Sequence, residues 1–170
     1  MPDPLILTLA MTGAGFDRLQ RWRAAHFPDR GYTLPAHLTL FHHLPGRKID
    51  LIDAALQGIV SRRPPFTLHA HRIVPFSQGF AIGTHSPALK PLRRNLAAIF
   101  RADLTRQDQR DLRPHVTIQN KVESDRAKTD RHAFARAFAP FPITATGLDL
   151  WHYRGGPWEH ATYYPFGGIA

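Results

Sequence analysis

The stretches "PAHLTLFHHL" (35–44) and "RPHVTIQNKV" (113–122) each place a histidine, one apolar residue and a threonine inside an apolar, strand-like run. Along a strand, residues i and i+2 point to the same face. His37 and Thr39 therefore share one face while Leu38 and Leu40 share the other, and His115 and Thr117 are set against Val116 and Ile118 in the same way. The two copies lie 78 residues apart in a chain of 170, close to half its length. A fold that accepts this chain must bury both apolar faces and still leave both polar pairs uncovered.

The surroundings of the two motifs also repeat. Before the first, 16–27 has helical spacing, with Phe16, Leu19, Trp22, Arg23 and His26 near one side; after it come a helix over 49–61 and a hairpin of 66–74 with 79–85. Before the second stands a helix over 88–103, whose Pro91 fits its first turn, and after it a helix over 126–139 and a hairpin of 143–154 with 159–166. Each returning strand begins beside a Pro and a Phe (Pro65-Phe66; Phe141-Pro142). The apolar run at 5–10 reads as a buried first strand; it is short and lacks a basic leader, so no signal peptide or membrane anchor is expected. An internal repeat accounts for this order. The expected fold is α+β: two pseudo-symmetric lobes in one domain over 1–170, each an antiparallel sheet with helices outside, around a central groove.

Two imidazoles and two hydroxyls meeting across such a groove suit phosphoryl chemistry. One His takes a proton from the nucleophile and the other gives one to the leaving oxygen. Histidine titrates near neutral pH, so a neutral and a protonated ring can coexist. Threonine hydroxyls can donate to the non-bridging oxygens as charge builds. A single His-x-Thr in a strand carries little information, since Thr favours strands; two copies at equivalent places of a repeat carry much more.

With "HLTL" and "HVTI" in this setting, the chain resembles the two-histidine phosphoesterase superfamily, and within it the bacterial 2'-5' RNA ligase-like (LigT-like) branch. The resemblance spans most of the chain in layout, but only the two tetrapeptides are specific. It implies a bilobal fold with both motifs lining one groove, no cofactor, no metal, and action on 2',3'-cyclic phosphates or 2'-5' linkages. It assigns His37 and His115 as the acid–base pair and Thr39 and Thr117 as phosphate-binding hydroxyls. Five residues after the second motif's His, where some members carry an aromatic residue or Arg, this chain has Asn120.

Other residues are weaker candidates. Phe41 and His43 follow His37 at strand spacing, as Gln119 and Lys121 follow His115. Phe80 and Trp158 each fall 43 residues after a motif His and are placed as possible base-stacking rings at the groove mouth. Arg113, beside the second motif, is a possible phosphate contact. His69 and His71 share a strand face, and His42-His43 adjoins the first motif, yet no His-Glu-x-x-His and no acidic ligand at telling spacing accompanies them; they read as solvated or rim histidines. There is no Gly-x-Gly-x-x-Gly, P-loop or Gly-x-Ser-x-Gly motif. The absence of cysteine excludes disulfides and thiol nucleophiles and is compatible with a reducing cytoplasm. Lys and Arg exceed Asp and Glu by 22 to 13, a net charge of +9 spread along the chain, which favours polyanion partners over a membrane. The expected partner is an RNA or nucleotide bearing a cyclic phosphate or 2'-5' linkage, met by a monomer. A 2'-5' ligase or phosphodiesterase using the same site, and a basic RNA-binding module whose histidines are unused, are the alternatives.

Overall fold

The computed structural model describes residues 2–168. The elements run β1 (Leu5–Thr12), α1 (Gly13–His26), β2 (Leu38–Leu44), α2 (Ile49–Val60), β3 (Phe66–Phe76), β4 (Gly79–His85), α3 (Leu89–Ile99), β5 (His115–Gln119), α4 (Ser124–Ala135), β6 (Phe141–His152) and β7 (Glu159–Pro165). All strand pairs are antiparallel, in the order β2-β1-β6-β3-β4-β5, with β7 also on β6. The α+β architecture with two lobes is thus the one expected from the repeat.

The strand order is a palindrome. Exchanging β1 with β4, β2 with β5 and β3 with β6 leaves it unchanged, and the centre of the exchange lies between β3 and β6, where Leu68 faces Ile143. The last strand of each half has crossed to the other half's lobe: β6 pairs with β1, and β3 with β4. β6 is long enough to serve both lobes, because β3 pairs with its first residues, 141–145, and β7 continues along the same edge from Gly147 to His152. β1 is covered on both faces and flanked on both edges, which is why its sequence is continuously apolar rather than alternating.

The core runs through both lobes. Trp22 of α1, Phe134 of α4, Phe141 of β6 and Phe80 of β4 form one aromatic cluster, in which Trp22 meets Phe134 and Phe141 edge-to-face, the former with centroids 4.7 Å apart. The shared face read for α1 is the one that packs: Leu19 and Arg23 are buried, and Phe16 and Trp22 lie against the core. The helix expected over 88–103 ends at Ile99 and passes into a short 3-10 turn at Arg101–Asp103. The strand expected to reach Val122 stops at Gln119, and Lys121 takes a left-handed φ of 60°. The outer strands β2 and β5, which carry the motifs, come into contact with each other, so the sheet curls until its two edges meet. Among the described residues no helix is long and apolar enough to cross a membrane.

Candidate active site

His37 closes the loop entering β2, and His115 opens β5. The Nδ1 of His37 lies 2.8 Å from the Pro35 carbonyl oxygen, and that of His115 lies 2.7 Å from the Arg113 carbonyl oxygen. A carbonyl only accepts, so in both rings Nδ1 carries the hydrogen and Nε2 is the nitrogen left to react. The same contact, two residues back, sets the same tautomer twice. Both histidines and both threonines are half-buried, while Leu38, Leu40, Val116 and Ile118 are buried, as the period of two requires.

The motifs cross over. A cavity of about 580 Å³ opens on His37 together with Thr117. A second, of about 480 Å³, opens on Thr39 together with His115. Each cavity thus takes the histidine of one motif and the threonine of the other.

The two histidines differ in environment. The Trp158 ring packs on His37 with centroids 4.5 Å apart, whereas Phe76 meets His115 edge-on at 6.1 Å. Burial, the largest cause, pushes the His37 pKa down to about 4; the Pro35 carbonyl works against it, and the charges of Arg23, His115 and His42 add smaller lowering effects.

Helix α1 fixes the first motif and touches the second. Gln20 Oε1 accepts from the Ala36 N–H at 2.5 Å. The Arg23 guanidinium donates to the Leu34 carbonyl at 3.1 Å and, across the lobes, to the Thr117 carbonyl at 2.7 Å. Burial lowers the Arg23 pKa to about 10, which leaves it a cation at neutral pH. Arg93 of α3 does the reciprocal work, donating to the Leu40 carbonyl of β2 at 2.9 Å and to the Asp108 carbonyl at 2.6 Å. An Arg on the apolar side of the first helix was the sequence signal for this role; nothing comparable marked Arg93.

Asp108, in the loop before β5, is buried and clamps β2. Its carboxylate accepts the N–H groups of His42 at 3.0 Å and His43 at 2.9 Å, and lies 3.0 Å from His42 Nδ1. Burial works to raise its pKa, but the hydrogen bonds from His42 and His43 outweigh it and hold the carboxyl below its usual value.

Three residues expected at the groove are elsewhere. Phe41 and Phe80 are fully buried and Gln119 is 1% exposed. A β-bulge one residue beyond each threonine explains two of them: the β1–β2 register shifts between the Thr8–Thr39 and Leu7–Phe41 pairs, and the β4–β5 register between Ala81–Thr117 and Phe80–Gln119. An inserted residue turns the next side chain to the opposite face, so Phe41 and Gln119 point inward beside Leu40 and Ile118. Gly79 stands against the second bulge, where a Cβ would collide with the Gln119 carbonyl. Phe80 is a core strand residue, and the ring matching Trp158 over His37 is Phe76 at His115. Arg113 does line the cavity beside His115, and Lys121 lines the one beside His37. His69, His71 and His85 group on the exposed face of the β3–β4 hairpin, but among the described residues no set of three or more metal-ligand side chains is arranged to hold an ion.

The 2'-5' RNA ligase superfamily model matches residues 13–157. This chain belongs to the 2'-5' RNA ligase superfamily. Solved structures with the same fold include TT0787 of Thermus thermophilus, at 15% identity over 98% of this chain and 100% of that one, with a TM-score of 0.72. The E. coli LigT structures complexed with NADP+ and with 3'-AMP each match at 19% identity over 98% of this chain and 99% of LigT, with TM-scores of 0.62 and 0.61. No curated protein sequence matches the chain significantly.

Proposed function

We propose that this superfamily member opens 2',3'-cyclic phosphates at RNA ends or on nucleotides by two-histidine acid–base catalysis. The observation that carries the reading is the crossed site: each His lines a cavity with the other motif's Thr, on two strands that touch, and both rings offer Nε2. A phosphate held where the two motif strands meet takes one imidazole on either side for in-line displacement. His37, held neutral by burial, is suited to be the base. Water loses a proton to His37 Nε2 as its oxygen bonds to phosphorus. The bond to the ribose 3' oxygen breaks, that oxygen takes the proton of protonated His115, and a 2'-phosphate remains. The Thr39 and Thr117 hydroxyls donate to the non-bridging oxygens as their charge grows.

With a 5' hydroxyl in place of water as the nucleophile, the same groups join ends through a 2'-5' linkage, a second reading favoured by the family match. That E. coli LigT was crystallised with 3'-AMP, ATP and phosphate supports nucleotide binding by this fold. The test is purified protein with EDTA and a panel of nucleoside 2',3'-cyclic phosphates and 2'-5'-linked oligonucleotides. Turnover of the cyclic phosphates is the expected result. RNA binding without turnover of any member would leave a basic binding module and end the enzymatic reading.

A further inference from the structure

The two cavities that share the motif side chains are built from different chemistry. The one beside His37 has aromatic walls, Phe27 and Tyr32, with Arg30 and Lys121 at its rim. The one beside His115 has no phenyl, phenol or indole ring; its exposed groups include Arg110, Arg113, His42, Gln107 and Asp111. Arg110 and Arg113 are exposed, and neither takes part in an ion pair among the described residues. The third guanidinium there, Arg93, is already engaged by the Leu40 and Asp108 carbonyls. Asp108 uses its carboxylate on β2, and because an ionised carboxylate only accepts, it fixes the hydrogen of His42 on Nδ1 and leaves Nε2 free. Asp111 is the other carboxylate in the lining, so the free cations outnumber the free carboxylate.

We propose that this second cavity is a subsite for a second phosphate of the substrate, the one attached through the 5' oxygen of the nucleotide whose phosphate reacts. The inference rests on the phosphoesterase reading for the position of the first phosphate. From a ribose whose 2' and 3' oxygens are held at the motif side chains, the substrate continues in two directions, through the base and through the 5' oxygen. The aromatic cavity suits the base. The cationic cavity suits the phosphate, through fork-shaped donors from Arg110 and Arg113.

The test is calorimetric binding, at fixed ionic strength, of adenosine 3'-monophosphate and adenosine 3',5'-bisphosphate to the full chain. The bisphosphate should bind at least about tenfold tighter, as charge-assisted hydrogen bonds to one added phosphate provide. In the Arg110→Gln/Arg113→Gln variant, both positions being exposed, the preference should fall to about threefold or less. Equal affinities in the wild type would overturn the proposal. So would a preference that survives in this variant, or one lost instead in Arg30→Gln/Lys121→Gln, which removes the same charge from the other cavity. A dinucleotide ending in a 3'-phosphate identifies the source: a gain equal to that of the bisphosphate assigns the RNA backbone, and a gain confined to the bisphosphate assigns a terminal phosphate. Binding does not depend on turnover. A chain that prefers the bisphosphate but opens no cyclic phosphate keeps the subsite and loses the proposed reaction.

Discussion

His37 lies under the Trp158 ring and takes up a proton only when the pH falls to about 4. The pH dependence of kcat/KM reports the ionisations of the free enzyme, so with His37 as base the acid limb should lie near that value, well below the ~6.5 of free histidine. Trp158→Ala admits water to the ring and should move the acid limb upward; an unchanged limb in the pH–rate profile would remove His37 from the base role. Replacing either His37 or His115 by Ala should lower kcat by ~10²–10⁴-fold, as loss of a general acid or base does, and a loss below about fivefold would show that the ring moves no proton in the rate-limiting step. The same depressed pKa affects stability. The unfolded chain protonates this residue first, so stability should fall as the pH drops from about 6.5 to about 4 and no further through this group below that. The loss is at most about 3 kcal/mol. His37→Gln should flatten that part of a melting-temperature profile, leaving the acid sensitivity of Asp108, whose lowered pKa stabilises the fold only while it is ionised. The motif side chains could be placed from sequence because i and i+2 in a strand share a face whatever the rest of the chain does. The asymmetry between the two imidazoles could not, since it comes from a tryptophan 121 residues away along the chain.

At the scale of elements, the strands and helices were legible because their apolar spacing differs, but the alternation fails at the two bulges. Nothing in "LTLFHH" or "VTIQNK" announces an inserted residue, and extending the period of two past the threonine sends Phe41 and Gln119 to the wrong face. In the structure Phe41 lies beneath the Arg93 guanidinium, 3.8 Å from its ring centroid, and Gln119 Nε2 donates to Asp130 at 2.8 Å. Helix placement was equally hidden, because Arg23 and Arg93 each reach the motif strand of the other half. Arg23→Met keeps most of the volume and removes both hydrogen bonds, leaving the Leu34 and Thr117 carbonyls unpaired in a site where Arg23 is 7% exposed. Unpaired buried acceptors cost ~1–3 kcal/mol each, so urea unfolding should show a loss of roughly 2–6 kcal/mol. A loss under about 1 kcal/mol would mean that water replaces the guanidinium and that α1 does not hold β5.

At the scale of the molecule, the repeat was visible as recurring elements, while the exchange of β3 and β6 between lobes was not, because strand partners are set by contacts remote in sequence. That exchange, with the curl of the sheet, brings two edge strands together and sets exposed cations on both sides of the motif side chains: Arg30 and Lys121 in one cavity, Arg110 and Arg113 in the other. A chain of net charge +9 attracts any polyanion, but only phosphates that displace counterions along this groove produce a steep salt dependence. A mononucleotide cyclic phosphate brings one reacting phosphate; an RNA end brings its neighbours as well. Each phosphate neutralised on a single strand contributes ~0.7 to the slope of log affinity against log salt. With two to four of these cations engaged, kcat/KM for an oligonucleotide ending in a cyclic phosphate should fall with salt more steeply than for the mononucleotide, by roughly 1.5–3 in that slope. Measuring both substrates across a salt series decides it. Equal slopes would make a small cyclic nucleotide, rather than an RNA end, the ligand this groove is built to hold.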